Sequence, residues 1–241
     1  MKRLLPVVFV LIALAAGGAD APRTAVVIEL FTSEGCSDCP PADTLLRELE
    51  TTQPVAGVEI IPLAFHVDYW DHQGWRDRFS SAAYTRRQSE YGERFRLQSV
   101  YTPQAVVNGA VEMVGNDRAH VWRALTQAAH AKTAQAKLQR GSAGALEVDV
   151  SDAGGADVLL AITETNLASN VRDGENRGRQ LRHTGVVRWL KLLGATRGGA
   201  FHGSVTPPIA TDWKRADMRA VVFVQRHGQG EIVGAASLPL Q

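Results

Sequence analysis

Long apolar runs and helical stripes alternate along the first hundred residues. Residues 24–31 (TAVVIELF) and residues 58–67 (VEIIPLAFHV) are nearly unbroken apolar runs, which predict strands buried on both faces of a sheet. Between them, Leu45 and Leu49 lie on one helical stripe, and residues 81–95 predict a second helix. A strand, a helix and a second strand in this order imply a right-handed parallel crossover. The first half therefore predicts an α/β fold.

A hairpin and a third helix are expected next. Asn-Gly at positions 108–109 separates two short apolar runs, which is a strong hairpin signal. A helix is expected from Asp117 to about Leu138, and the small-residue segment at residues 139–144 (QRGSAG) predicts a linker. The order βαβα followed by ββα is the thioredoxin topology. We therefore predict a thioredoxin-like α/β domain over residues 22–138.

The second half of the chain has a different pattern. Its apolar runs, LEVDV, ADVLLAITETN, GVVRWLKLLG, RAVVFVQ and EIVGAASL, are strand-like and are separated by Gly, Asp and Pro clusters. For residues 186–193 a helix is the alternative. The pattern predicts a smaller β-rich domain over residues 145–241, antiparallel and sandwich-like.

The first 21 residues have the pattern of a secretory signal peptide. Lys2 and Arg3 precede an apolar segment, and small residues lead up to Ala21. The segment is too short to span a bilayer, so we expect cleavage, release into the periplasm and no membrane anchor. Cleavage would bring the formal net charge of +1 to about zero. A neutral protein argues against nucleic acid as a partner.

The chain has two cysteines, Cys36 and Cys39. An exported protein can keep them as a disulfide. Pro40 and Pro41 fit only the first turn of a helix, which places the pair at a helix N-terminus. Four interpretations remain open: a redox pair, metal ligands, an inert disulfide, or two unrelated buried thiols. As an inert link the pair is weak, because closing so short a loop contributes only about 2 kcal/mol.

A redox role explains the position of the cysteines. The helix N-terminus favours a thiolate and lowers the pKa of a cysteine. We expect Cys36 to be the exposed, attacking cysteine and Cys39 to resolve the mixed disulfide. Asp38 opposes a second negative charge, so we expect a less oxidising pair than one with His or Pro between the cysteines.

Three further candidates accompany the cysteines. In thioredoxin-like proteins a cis-proline at the start of the third core strand lies against the cysteine pair, which assigns substrate binding to Thr102 and Pro103. Glu29, a lone carboxylate in an apolar strand, is a possible proton acceptor for Cys39. The alternative for Glu29 is a carboxylate paired with an arginine.

The aromatic segment at residues 65–75 (FHVDYWDHQGW) is expected at the same edge of the sheet as the cysteines. Trp70 is its candidate for the substrate groove, and packing against the second domain is the alternative. His66 could instead join Cys36 and Cys39 as a ligand of copper or zinc. Residues 173–183, rich in arginine, predict a solvated hairpin.

Three sequence boxes, FTSEGCSDCPPAD, HVDYWDHQGW and YTPQAVVNG, resemble those of an exported bacterial thioredoxin-like family of unknown function. The third box is also similar to the cis-proline segment of glutaredoxins. The resemblance implies a thiol-disulfide oxidoreductase without a cofactor, acting on a protein or small-molecule thiol or disulfide. The alternative is a copper-binding or redox-inert peptide-binding module. The direction of the reaction and the oligomeric state stay open.

Overall fold

The structure is a computed structural model that describes residues 23–131 and 134–241. The predicted signal peptide lies outside the described residues. The chain forms a mixed α/β fold with one large mixed sheet, few helices and two additional antiparallel sheets. Over these two ranges, no helix is both long and apolar enough to cross a bilayer.

Residues 23–131 contain four strands and three helices. Their bounds are β1 Thr24–Thr32, α1 Cys39–Thr52, β2 Val58–His66, α2 Ala82–Phe95, β3 Gln104–Val107, β4 Val111–Val114 and α3 Arg118–Ala128. Strand β1 pairs in parallel with β2 and antiparallel with β3, which forms a hairpin with β4. These elements confirm the predicted strands, the crossover and the Asn-Gly hairpin.

Within residues 134–241, nine strands follow α3, and residues 186–193 belong to one of them rather than to a helix. Their bounds are β5 Gln135–Arg140, β6 Leu146–Ser151, β7 Asp157–Glu164, β8 Leu167–Asn170, β9 Gln180–His183, β10 Val186–Ala195, β11 Phe201–Val205, β12 Met218–Gln225 and β13 Ile232–Pro239.

The third helix is shorter than predicted. It ends at Ala128, whereas Leu138 belongs to strand β5. Leu138 is buried among the apolar side chains of β6 and β7, while its neighbours along the strand are exposed. This alternation suits a strand that covers a sheet, so tertiary packing overrides the helical preference of the segment. The expected linker at residues 139–144 coincides with the end of β5 and a tight turn into β6.

The large sheet has eight strands in the order β13-β12-β7-β10-β2-β1-β3-β4. Four strands that we expected in a separate sandwich therefore extend the sheet of the first half. Strands β11, β6 and β5 form a second sheet, and β8 and β9 form a third. The division into two domains stays a prediction about folding units.

The two halves of the large sheet meet where β10 joins β2. The ladder between them is a single parallel pair, Val186 with Ala64, and Ala64 N–H donates to the Gly185 carbonyl at 2.8 Å. Pro62, two residues earlier on β2, has no N–H to extend this ladder. Gly185 has a φ of +56°, and a Cβ there would lie 2.7 Å from the Pro62 carbonyl oxygen. Glycine is therefore required for the close approach.

Alternating side chains of the large sheet face two layers. One face carries Phe31, Phe65 and Phe223 and packs against α2. The opposite face packs against α1 and α3 near β1 and β2, and against β5 and β6 near β7 and β12. The loop at the carboxyl end of β1 leads into helix α1, whose first residue is Cys39.

Candidate functional site

Cys36 and Cys39 form a disulfide at the start of α1, with Cα atoms 5.4 Å apart. Pro40 and Pro41 occupy the first turn of the helix, where backbone N–H groups have no acceptor within the helix, so proline loses no hydrogen bond there. The placement agrees with a redox-capable Cys-x-x-Cys pair. The expected exposure of Cys36 is wrong, because only 1% of its surface is accessible.

The loop before β3 contacts the Cys36 sulfur, and Trp70 packs on the residues next to it. The Cys36 sulfur lies 3.9 Å from the carbonyl oxygen of Thr102. The Trp70 indole N–H donates to Thr102 Oγ1 at 2.8 Å. At its other end, Trp70 packs on Gly35, where an added Cβ would lie 3.1 Å from Trp70 Cβ. Trp70 thus bridges the two loops beside Cys36.

The Thr102–Pro103 peptide bond is cis, as expected from the resemblance. The structure thereby brings together four residues singled out from the sequence: the two cysteines, Thr102 and Trp70. Pro103, the next residue, packs closely on Gly115, where an added Cβ would lie 3.2 Å from Pro103 Cβ. The substrate-binding role of Thr102, Pro103 and Trp70 stays a prediction.

The segment before β9 also forms part of the site, although the sequence predicted a solvated hairpin there. Asn176 is fully buried and donates both amide hydrogens, to the Glu34 carbonyl at 2.9 Å and to the Cys36 carbonyl at 2.8 Å. Glu175, which is exposed, accepts from the Ser37 N–H at 3.0 Å. Hydrogen bonds from the Ser37 side chain and from its backbone N–H lower the pKa of Glu175. Sequence reasoning missed Asn176, because no spacing links this segment to the cysteine loop.

A group of acidic and imidazole side chains lies buried under the disulfide loop. It consists of Glu34, Asp43, His66, Asp77 and His183, which we call the buried polar cluster. His66 Nδ1 lies 2.6 Å from Asp77 Oδ2, and the two imidazole centroids are 4.9 Å apart. Asp77 Oδ2 also accepts from the Glu34 N–H at 2.9 Å.

His183 from β9 lies between two carboxylates. Its Nε2 is 3.2 Å from Glu34 Oε1, and its Nδ1 is 3.9 Å from Asp43 Oδ1. Asp43 accepts a hydrogen bond from Thr32 at 3.3 Å, and Glu34 accepts one from the Trp75 indole at 2.7 Å. The contacts of His183 are ion pairs rather than well-directed hydrogen bonds.

The charges in this cluster shift two pKa values. Burial opposes a charged His183, but the carboxylates of Asp43 and Glu34 outweigh it and raise the pKa of His183 to about 10. Burial likewise opposes a charged Asp77, yet His66 and two backbone N–H groups lower its pKa below the usual 3.8. Sequence reasoning missed Asp43, Asp77 and His183, because no spacing links β9 to α1.

Glu29 lies away from this cluster. It shares the sheet face of Phe31 and α2, whereas α1 covers the opposite face. It is fully buried and forms an ion pair with Arg87. This placement supports the arginine-paired alternative and gives Glu29 no contact through which to accept a proton from Cys39.

The metal alternative receives no support from the described residues. In residues 23–131 and 134–241, no group of three or more His, Cys, Asp or Glu side chains is arranged to hold a metal ion. His66, the expected third ligand, is instead paired with Asp77 through Nδ1.

Comparisons with known proteins reveal one family and two similar structures. A family model described as a protein of unknown function (DUF1223) matches residues 27–225. A structural-genomics crystal structure of an Agrobacterium tumefaciens protein is 26% identical, with a TM-score of 0.75, and the match covers 91% of this chain and 96% of that one. HBP35 of Porphyromonas gingivalis shares the fold, with a TM-score of 0.62 at 12% identity, over 91% and 76%. No curated protein matches the chain.

Proposed function

We propose that this chain, which belongs to the DUF1223 family of proteins of unknown function, is an exported thiol-disulfide oxidoreductase. The observation that carries the proposal is the Cys36–Cys39 disulfide at the start of α1, with the Thr102 carbonyl beside the Cys36 sulfur. A helix N-terminus stabilises a thiolate, and a thiolate is the nucleophile in disulfide exchange.

The reaction needs only the two cysteines and a partner. In the oxidising direction, a partner thiolate bonds to the Cys36 sulfur, the bond between Cys36 and Cys39 breaks, and its electron pair leaves on Cys39. A second thiol of the partner then loses its proton and attacks the partner sulfur that is bonded to Cys36 in the mixed disulfide. Cys36 then leaves as a thiolate, so the partner is oxidised by two electrons and the pair is reduced. The reverse sequence reduces a partner disulfide, with Cys36 attacking and Cys39 resolving.

The arrangement of the first half supports this proposal. Strands β1 to β4 stand in the order β2-β1-β3-β4, with β1 and β2 parallel and β3 antiparallel. With α1, α2 and α3 between and after these strands, we interpret the half as thioredoxin-like. In that interpretation, Thr102 and Pro103 hold the extended chain of the partner next to Cys36.

The burial of Cys36 sets a condition on the partner. Nucleophilic attack needs an open approach to the Cys36 sulfur, and Trp70 bridges the loops around it. We propose that the partner, a protein or small-molecule thiol or disulfide, displaces the Trp70 side chain when it binds. The signal pattern of residues 1–21 supports export to the periplasm, where both reaction directions are chemically possible.

Redox titration with trapping of the partner tests the function. The protein is equilibrated in dithiothreitol and glutathione buffers, and free thiols are blocked and counted by mass. We expect a reversible two-electron transition, and a Cys39→Ala variant should accumulate mixed disulfides with envelope proteins or with glutathione. A Cys36→Ala, Cys39→Ala variant is the matched control. A disulfide that is not reduced and reformed, or equal trapping by both variants, would falsify the proposal.

A further inference from the structure

The buried polar cluster beside the disulfide contains more acids than bases. It holds three carboxylates and two imidazoles, and Asp77 is already paired with His66. Glu34 and Asp43 therefore share His183 as their cation. Buried charges are costly unless they are paired, so this arrangement needs a reason. Four polar atoms of the cluster find no hydrogen-bond partner in the described part of the chain: Glu34 Oε1, His66 Nε2, His183 Nδ1 and His183 Nε2.

The cluster is connected to both ends of the disulfide loop. Asp43 follows Cys39 by one turn of α1, and Glu34 precedes Cys36 by two residues. Asn176 binds the carbonyl groups of Glu34 and Cys36 at the same time. Cys39 and Asp43 lie four residues apart on α1 and therefore on the same face of the helix, so a change of charge on Cys39 arises next to a carboxylate of the cluster, in buried surroundings that screen it poorly.

We infer that His183 is a positioning residue that stabilises the thiolate of Cys39 by offsetting part of the negative charge of Glu34 and Asp43. The inference rests on the proposed function, which makes this thiolate the leaving group of the exchange. Two unbalanced carboxylates would disfavour a third negative charge nearby. A protonated His183 offsets one of these two negative charges and so weakens the repulsion. No proton moves in the step itself, because His183 keeps its proton while the electron pair leaves on Cys39.

The other groups packed around His183 do not replace its charge. The His66 ring, from β2, faces it edge to face and is committed to Asp77. The Phe79 ring lies 5.8 Å from it and is apolar. From α1, the half-buried Arg47 donates to the carbonyl oxygen of residue 182 at 3.4 Å, and among the described residues it forms no ion pair with Glu34 or Asp43.

The test is a thiolate titration of Cys39 in a Cys36→Ala background, where it is the sole thiol of the chain. Ultraviolet absorbance of the reduced protein reports the thiolate as the pH is raised. We expect His183→Gln to raise the midpoint by about one pH unit, which is a tenfold loss of thiolate at a given pH. Asp43→Asn should move it in the opposite direction. His202→Gln is the control, because His202 is an exposed histidine paired with Asp149 at 2.6 Å.

The opposite signs separate charge from structural damage. Loosening of the loop would move both variants the same way, so shifts of one sign, or no shift, overturn the inference. If His183→Gln does not fold, Asp43→Asn decides alone, and an unchanged or raised midpoint refutes the role of the cluster. The titration uses chemically reduced protein without a partner. Failure of disulfide exchange therefore counts against the proposed function and leaves this result standing.

Discussion

Trp70 bridges the two loops next to Cys36. Its indole N–H donates to Thr102 Oγ1, and its Cβ packs on Gly35. Only 1% of the Cys36 surface is exposed in this arrangement. The rate of attack on a disulfide depends on access to the attacked sulfur as well as on thiolate character, so removal of this bridge should open the Cys36 sulfur to a small thiol.

We therefore predict that Trp70→Ala accelerates reduction of the disulfide by dithiothreitol by about tenfold. Samples quenched at timed intervals with a thiol-blocking reagent, followed by mass analysis of the labelled protein, measure the rate. Trp122→Ala is the matched control, since Trp122 is 45% exposed on α3 and far from the cysteines in the chain. A Trp70→Ala rate equal to that of the wild type would show that another group limits access.

Asn176 connects the second half of the chain to the disulfide loop. Both amide hydrogens are donated to buried carbonyl oxygens, at Glu34 and Cys36. Asn176→Ala leaves two acceptors without donors, and we expect a loss of about 1–3 kcal/mol in the free energy of unfolding. Urea denaturation measures it. Asn170→Ala, an exposed asparagine on β8 that accepts one bond from Gln180 at 3.2 Å, should change stability little. Equal losses would mean that the two bonds of Asn176 are not what stabilises the loop.

Helix α2 is fastened to the large sheet by Arg87. This buried residue pairs with Glu29 on β1 and bonds to Gln225 on β12 at 3.0 Å. Arg87→Met leaves Glu29 buried without its cation, and removal of one partner from a buried pair costs about 3–5 kcal/mol. We expect that loss in urea denaturation, against little change for Arg94→Met, an exposed arginine of the same helix. A loss similar to that of the control would contradict the structural role of the pair.

Elements were predictable wherever one local pattern determined them. The apolar run of β1 and the Asn-Gly turn before β4 each led to the right structure, because burial on both faces and left-handed turn residues act locally. Residues 135–138 of strand β5 were predicted as the end of a helix and residues 139–140 as linker, because the place of this strand is set by β6 and β13. Only pairing between distant segments decides such strands.

The residues of the candidate site fall into the same two groups, those set by local sequence and those set by distant pairing. Cys36, Cys39 and Pro103 are recognisable because their chemistry depends on spacing and on an X-Pro bond. His183 and Asn176 are not, because they arrive from 140 residues away in the chain through the pairing of β8 with β9. The alternation of side chains along β1 also could not show which face of the sheet Glu29 occupies, because that depends on the side on which α2 packs.

On the scale of the whole molecule, the second half supplies charge as well as strands to the first. His183 is contributed by β9, and its carboxylate partners by the loop after β1 and by α1. Folding therefore buries a histidine that can hold a proton. Tyr84, buried under β10, adds a second alkaline group, because burial raises its pKa to about 12.

These pKa shifts predict how stability depends on pH. The pKa of His183 rises from 6.5 to about 10 on folding, so its contribution is complete below pH 6.5 and is lost as the pH rises to 10. Tyr84 acts in the same direction, but only between pH 10 and 12. At the acid end, Asp77 has a lowered pKa, so its contribution is present above pH 3.8 and is lost below it. The unfolding free energy should thus decline between pH 6.5 and 10.

His183→Gln separates these contributions, since glutamine has no proton to lose in that window. The difference in unfolding free energy between wild type and variant should be largest near pH 6.5 and should shrink as the pH approaches 10. Urea denaturation across the window measures it, with His202→Gln as the exposed control. A difference that stays constant with pH would mean that His183 stabilises the fold by packing alone, since packing does not depend on a proton and the ion pairs with Glu34 and Asp43 do.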